Sequence, residues 1–419
     1  MYKLVVKGGI PLSGSVNIAG SKNAALPILF ASILADGPLK LNNSPHLSDV
    51  STTLRLLMDM GAEFILESDS SLFVDASNLT KLVADYNLVK TMRASILTLG
   101  PMLAKYGEAK VSLPGGCAIG TRPVNLHLKA LEDLGAQIEV KGGYIYASTK
   151  KLIGTDIHFE QVTVTATENI LMAATLAEGT TTIHNAAQEP EIIDLANCLT
   201  KMGAKITGAG TSIINIEGVS NLSGVTHTVC PDRIEAGTYL IAAAITGGQV
   251  TLKKTKHQSM RAIIEKLIES GADIKYDENT ITLNMKGKRP SPVNIRTSAY
   301  PNFPTDMQAQ FCALNSIADG QATITETIFE NRFMHIPELS RMGANLSLEG
   351  NTVISKGVKS LTGANLMATD LRASASLVLA GLAAHGTTTI ERVYHLDRGY
   401  ETIEEKLKLL GADIERIQD

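Results

Sequence analysis

One pattern occurs six times along the chain: an amphipathic stretch at helical spacing, then Gly-Ala, then a short alternating run. The copies are LRLLMDMGAEFIL, LKALEDLGAQIEV, ANCLTKMGAKITG, IEKLIESGADIKY, PELSRMGANLSLE and EEKLKLLGADIER. Their glycines, Gly61, Gly135, Gly203, Gly271, Gly343 and Gly411, are spaced 74, 68, 68, 72 and 68 residues apart. Self-similarity at a fixed period constrains a fold more than any single motif, because each copy must be the same supersecondary unit. Apolar residues recur at intervals of three and four, as at Ile403, Leu407 and Leu410, which predicts a helix. Glycine follows where a helix C-terminus takes a left-handed residue without a Cβ penalty. The residues after it alternate, as a half-buried strand does.

A second unit recurs between these copies: an Ala-rich helix, then Gly, then a β-rich run. It reads ILFASILADGPLKL, ILMAATLAEGTTTI, LIAAAITGGQVTL, ALNSIADGQATI and LVLAGLAAHGTTTI, with RASILTLGPMLAKYGEAKV as a longer version. Small apolar faces predict helices packed close to one another inside a core. With no Trp and aromatics at only 4%, that core is aliphatic. Each repeat holds two helices and several strands and cannot bury both faces alone, so units must share cores. The 419 residues exceed one ordinary core. Six units divide into two domains of three, with a breakpoint near Val229–Pro231. The expected domains are 1–21 plus 230–419, the N-terminal strand returning to the C-terminal domain, and 22–229, which carries the loop around Cys117. A six-unit solenoid scaffold is the alternative, but solenoid repeats are usually about 20–45 residues, shorter than these.

The net charge of −4 offers no basic face for nucleic acid, so an anionic ligand needs a local cluster of Arg and Lys. The N-terminus lacks a signal-peptide apolar core and no apolar run is long enough to span a membrane. Cys117, Cys198, Cys230 and Cys312 show neither CxxC pairing nor metal-ligand spacing, which predicts free thiols, no metal and a cytoplasmic protein. No GxGxxG after a strand, GxxxxGK[ST], HExxH or G-x-S-x-G occurs, against dinucleotide, P-loop, zinc-protease and serine-hydrolase chemistry.

A few loops carry polar residues that periodicity does not explain. In AGSKNAALPILFAS, Ser21 stands where it could cap an apolar helix, and Lys22 projects from a helix start that favours anions. A surface lysine is the plainer alternative. SLPGGCAIGTRPVNLH is rich in Gly and Pro and suits a lid. There Cys117 sits five residues before Arg122, whose charge favours a thiolate. An incidental loop cysteine is the alternative. Arg93, Asp306, Arg332, Asp370, Arg372 and Arg398 all lie at the ends of repeated elements. Singly each reads as a structural charge; together they are a convergent set.

AGSKNAALP, LPGGCAIGTRP, NAAQEPEI, FPTDMQAQF, ENRFMH, MATDLRASASL and DRGYE, in that order, resemble the UDP-N-acetylglucosamine 1-carboxyvinyltransferases, an enolpyruvyl transferase family. The resemblance covers essentially the whole chain. It implies a two-domain inside-out α/β barrel, six βαβαββ-type repeats with three per domain, helices in the middle and substrates in the interdomain cleft. It implies transfer of the enolpyruvyl group of phosphoenolpyruvate to the 3′-hydroxyl of UDP-N-acetylglucosamine, the first committed step of peptidoglycan synthesis, in a monomer or weak oligomer without cofactor. It carries over Lys22, Asn23, Arg122 and Arg398 as phosphoenolpyruvate contacts. Cys117 becomes the proton donor to the methylene carbon, able to form a thioketal adduct and to react with fosfomycin. Asp306 becomes acceptor of the sugar hydroxyl proton. Arg93, Arg122, Pro123, Val124, Asn125, Leu126, Gln161, Val162, Thr163, Val164, Asp306 and Ile328 become sugar-nucleotide contacts, with Arg332, Asp370 and Arg372 as supporting charges. Three positions depart from the family pattern: Asn125 where Asp is common, Gln161 for a frequent Lys, and Thr165 where Gly is usual.

The chemistry asks for such residues. Two anionic substrates in a net-negative protein need fixed cations. Addition and elimination need an acid and a base. A base acting on a sugar hydroxyl predicts a raised pKa at Asp306. Sugar nucleotide is expected to bind first and close the domains over the intermediate. The rival acceptor is the carbocyclic phosphate of 5-enolpyruvylshikimate-3-phosphate synthase, and the rival class is a non-catalytic sugar-nucleotide sensor.

Overall fold

In the computed structural model, residues 2–67, 71–90, 92–114 and 124–418 are described. The chain forms two compact units, one of residues 2–19 and 231–418, the other of 20–114 and 124–230. Each unit is built from three repeats, and each repeat contributes one four-stranded sheet.

The sheets share one plan. In one, Asp156–His158 runs parallel to Thr180–His184, which pairs antiparallel with Ile213–Glu217, and Lys205–Thr207 closes the outer edge. The parallel pair is bridged by the helix Val164–Ala174 and the hairpin is reached through Pro190–Met202, a β-α-β-α-β-β order. Strand residues alternate as half-buried strands must: in Ile213–Glu217, Ile214 and Ile216 point inward. Two sheets of the 231–418 unit borrow a strand from the N-terminus. Tyr2–Lys7 lies antiparallel between Thr387–Glu391 and Asp413–Gln418, with Leu4 opposite Ile390 and Val5 opposite Glu415. Ser13–Asn17 runs parallel to Gln249–Lys253.

Helices come in two kinds, as the two recurring units predict. The six Gly-Ala copies follow one-sided helices such as Arg261–Glu269, which buries Ile263, Ile264 and Leu267. All six glycines are left-handed, with φ of 107°, 94°, 115°, 99°, 90° and 87° in chain order. The Ala-rich helices of the 231–418 unit have almost no exposed face. Every residue of Arg233–Ile245 and of Gln308–Ser316 is buried, as is Arg372–Leu382 within Leu371–Ala383. These three pack on one another at the centre of their unit, with sheets outside. The other unit repeats this with Lys22–Ala31, Leu99–Tyr106 and Val164–Ala174. A helix without a polar face can exist only in such a position. Helices at the middle and sheets around them are the inside-out α/β arrangement expected from the sequence.

In the 231–418 unit the first turns of the three central helices carry polar residues, among them Glu235, Gln310 and Arg372. A buried pair anchors the borrowed segment there. Glu235 accepts the Ala19 N–H at 2.8 Å and meets Lys406 Nζ at 2.6 Å. Among the described residues no helix is long and apolar enough to cross a membrane.

Candidate active site

In the 231–418 unit the structure brings Asp306, Arg332 and Arg372 together. Asp306 lies in the turn Thr305–Met307 that leads into Gln308–Ser316. Arg332 Nη2 stands 2.8 Å from its Oδ1 and Arg372 Nη2 2.9 Å from its Oδ2. The two arginine side chains are 7% and 4% exposed and Asp306 24%, so the Asp306 side chain is not fully enclosed.

Each guanidinium is held from behind. Asp370 caps Leu371–Ala383 by accepting the N–H groups of Arg372 and Ala373 at 3.0 Å, which places Arg372 in the first helical turn. Arg372 Nη1 donates to the Tyr400 hydroxyl at 3.3 Å, and that hydroxyl lies 2.9 Å from Thr238 Oγ1. Gln310 donates to the Asp306 carbonyl at 2.9 Å. Arg332 Nη1 donates to Thr305 Oγ1 at 2.9 Å, and Thr305 donates to Glu326 at 2.8 Å. Glu326 also accepts the Ile328 N–H at 2.7 Å, fixing that backbone while the Ile328 side chain stays 40% exposed.

The charge on Asp306 corrects the sequence expectation. Burial alone would raise its carboxyl, but the Arg372 and Arg332 charges and their hydrogen bonds outweigh that and hold it far below the usual carboxylate range. Asp306 is a firm anion and a weak base, not a carboxylate poised near neutrality. Arg398 ends the turn Val393–Arg398. Burial and the charge of Arg398 lower the pKa of His395, against an opposing pull from Asp370. Burial pushes His335, near Asp370 and Arg332, down to about 4.

In the 20–230 unit, Lys22 opens Lys22–Ala31, with Asn23 beside it. Its ammonium lies 2.7 Å from Asp49 Oδ2, and both side chains are nearly buried. Asp49 comes from the first turn of Ser48–Asp59. Lys22 is therefore a neutralised buried cation rather than a bare charge at a helix start. Ser21 holds the N-cap position but its side chain makes no capping bond, contrary to the sequence expectation. Arg93 begins the turn Arg93–Thr98, close enough to His127 to lower its pKa. Val124 is the N-cap residue of Asn125–Asp133, which Asn125 and Leu126 begin, and Thr163 is the N-cap residue of Val164–Ala174. Gln161 and Val162 are exposed just before it. Cys117, Arg122 and Pro123, with the expected thioketal position, lie outside the described residues.

The buried thiols of Cys198 and Cys312 are pushed up to about 12, chiefly by burial, and are unreactive at neutral pH. Among the described residues no group of three His, Cys, Asp or Glu side chains is arranged to hold a metal.

Sequence reasoning missed Asp49, Tyr400, Thr238, Gln310, Glu326, His127 and Asn169, all buried or holding a named site residue. The usable signal was a polar residue inside a helix with no polar face. Thr238 and Gln310 sit in fully buried helices, and a buried polar group must find partners.

Comparison with known proteins agrees with the fold. The family model for EPSP synthase (3-phosphoshikimate 1-carboxyvinyltransferase) matches residues 6–407. A protein of Ruthia magnifica named UDP-N-acetylglucosamine 1-carboxyvinyltransferase is 80% identical over all of both chains. One of the same name from Hydrogenovibrio crunogenus is 58% identical over 99% of this chain and all of its own. The crystal structure of the enolpyruvyl transferase NikO from Streptomyces tendae is similar with a TM-score of 0.90 at 25% identity, covering 100% of this chain and 99% of that one. An EPSP synthase structure from Acinetobacter baumannii shares the fold at a TM-score of 0.77 and 20% identity, with both chains fully covered.

Proposed function

The chain belongs to the EPSP synthase family of enolpyruvyl transferases, and on that premise we propose that it transfers the enolpyruvyl group of phosphoenolpyruvate to the 3′-hydroxyl of UDP-N-acetylglucosamine. One observation carries the choice of acceptor: relatives bearing that acceptor in their name are 58–80% identical over the full chain, against 20% for the EPSP synthase structure. The reaction feeds peptidoglycan synthesis. With two water-soluble phosphorylated substrates it runs in the cytoplasm, in a monomer or weak oligomer, without metal or cofactor.

The sugar 3′-oxygen attacks C2 of phosphoenolpyruvate while C3 takes a proton, giving a tetrahedral phospho-ketal. C3 then loses a proton, the C2–O bond to phosphate breaks, and inorganic phosphate leaves. In this reading Lys22, Asn23, Arg122 and Arg398 bind phosphoenolpyruvate, and Cys117 delivers the proton to C3. Arg93, Arg122, Pro123, Val124, Asn125, Leu126, Gln161, Val162, Thr163, Val164 and Ile328 hold the sugar nucleotide. Asp306 accepts the hydrogen bond of the 3′-hydroxyl. Its depressed pKa gives it a particular part: it is too weak a base to ionise a free hydroxyl. It takes the proton late, once bonding to C2 has made that oxygen acidic. Arg332 and Arg372 keep the carboxylate ionised and aimed. Asp370 holds Arg372 in place through the helix cap.

The Lys22–Asp49 pair supports the phosphoenolpyruvate assignment. A buried ammonium beside one carboxylate is fixed in position before any ligand arrives, which lowers the ordering cost of binding. Incubation with both substrates followed by mass spectrometry tests the reading. The sugar nucleotide should gain one enolpyruvyl group in the wild type and not in Cys117→Ser. Unmodified sugar nucleotide with the wild-type protein would support a sensor instead.

A further inference from the structure

Glu326 directly follows the strand Gln321–Thr325, and Thr297 directly follows its parallel partner Ile295–Arg296, so the two residues stand side by side where both strands end. The Glu326 backbone is tied on both sides. Its N–H donates to the Asn351 carbonyl at 2.9 Å, and Asn351 Nδ2 donates to its carbonyl at 2.9 Å. The side chain is only 2% exposed. A carboxyl group taken out of water needs donors around it, and here they divide between its two oxygens.

Oε1 accepts the Thr297 hydroxyl at 2.8 Å, the Ile328 N–H at 2.7 Å and the Phe329 N–H at 3.3 Å. Thr297 braces this branch further: its hydroxyl accepts the Thr327 N–H at 2.8 Å, and its carbonyl accepts the Thr327 hydroxyl at 2.6 Å. Oε2 accepts the Thr305 hydroxyl at 2.8 Å. A guanidinium can only donate, so Thr305 Oγ1 accepts from Arg332 Nη1 at 2.9 Å and gives its own proton to Glu326. Arg332 Nη2 in turn stands 2.8 Å from Asp306. One side chain thus ends two branches. The first holds the segment 327–329, which carries the proposed sugar contact Ile328. The second holds the arginine that aims Asp306.

We propose that Glu326 is a positioning residue that sets the acceptor sugar and its base in register: Oε1 fixes the backbone of Ile328, and Oε2 fixes Asp306 through Thr305 and Arg332. The inference rests on the function proposed above.

Substitutions separate the branches. In Glu326→Gln the three donors at Oε1 keep the amide oxygen facing them, which turns the NH₂ group toward Thr305. The Thr305 proton then loses its acceptor, and the Arg332 branch loosens while the Ile328 branch stays. Steady-state kinetics of the full-length protein, with hydrogen exchange of the Ile328 and Phe329 amides, tests this. Glu326→Gln and Thr305→Val should each lower kcat about tenfold, the scale of one lost hydrogen bond to a charged group. The KM for UDP-N-acetylglucosamine should stay within about twofold in both. Because both cut the same branch, the double variant should fall no more than about twofold below either one. Thr305→Ser should restore kcat. Thr297→Val, on the other branch, should raise that KM about fivefold with kcat within about twofold. It should also speed exchange of the two amides, which Thr305→Val should leave as in the wild type. Additive losses in the double variant, a Thr305→Val effect on KM rather than kcat, or unchanged exchange in Thr297→Val overturns the inference. A wild type that yields no enolpyruvyl product overturns the proposed function instead; the exchange comparison needs no turnover and still decides whether this network holds Ile328.

Discussion

Asp306 shows what a single side chain's surroundings decide. Its two guanidinium partners make it an anion throughout the working pH range, so an acidic limb in the rate profile belongs to another group. Asp306→Asn should lower kcat about 100- to 10,000-fold with the fold retained, checked by kinetics alongside circular dichroism. It should also cost about 3–5 kcal/mol in denaturant unfolding, because two nearly buried cations lose their counter-charge. The folded pKa lies below the unfolded value of about 3.9, so this contribution is complete above roughly pH 5. It disappears as the pH falls through the folded value. Urea curves of wild type and Asp306→Asn should therefore converge only in strong acid. Asp306, Lys22 and Arg372 were legible in the sequence because they stand in polar runs at the ends of apolar helices. The lowered pKa was not, since Arg332 and Arg372 reach Asp306 only through folding. Asp49 was hidden for the same reason: nothing in LSDVSTT marks it as the partner of Lys22.

At the scale of elements, the glycines separate two causes of constraint. Gly271 has φ +99° with open space around an added Cβ, so Gly271→Ala meets backbone strain alone, about 1–2 kcal/mol. Gly357 directly follows the strand Thr352–Lys356, and a Cβ there would lie 1.8 Å from the Ala318 carbonyl oxygen. Gly357→Ala must push two backbones apart and should cost about 3 kcal/mol or more. Denaturant midpoints of the two variants check the order. Asp370→Ala removes the cap that places Arg372 and should cost about 1 kcal/mol of stability. Its larger effect should be a fall in kcat as Arg372 loosens, seen without loss of helical signal. The helix-Gly-Ala-strand units were readable because period and glycine placement are local. Left-handed Lys254 and Arg392, each directly after a strand, were not, because their side chains carry no such mark. Strand order was equally hidden: alternation shows which face is buried, not that Asp156–His158 pairs parallel with Thr180–His184.

Across the whole molecule, three of the six four-stranded sheets are completed by pieces far apart in the chain. Tyr2–Lys7 supplies a central strand to one sheet and Ser13–Asn17 an edge strand to another. Deleting residues 1–19 should leave 231–418 without a stable core, while 20–230 made alone should fold. Protease resistance and circular dichroism of the two products would show the asymmetry. The repeat count and the motif order made the architecture legible, and a net charge of −4 made it necessary to look for local cations. The central claim is that this chain hands an enolpyruvyl group to a sugar nucleotide. Phosphate release from phosphoenolpyruvate, measured with UDP-N-acetylglucosamine and with shikimate 3-phosphate in parallel, tests it most directly. Stoichiometric release with the sugar nucleotide and none with shikimate 3-phosphate is the expected result. Release with shikimate 3-phosphate, or silence with the sugar nucleotide, would contradict it.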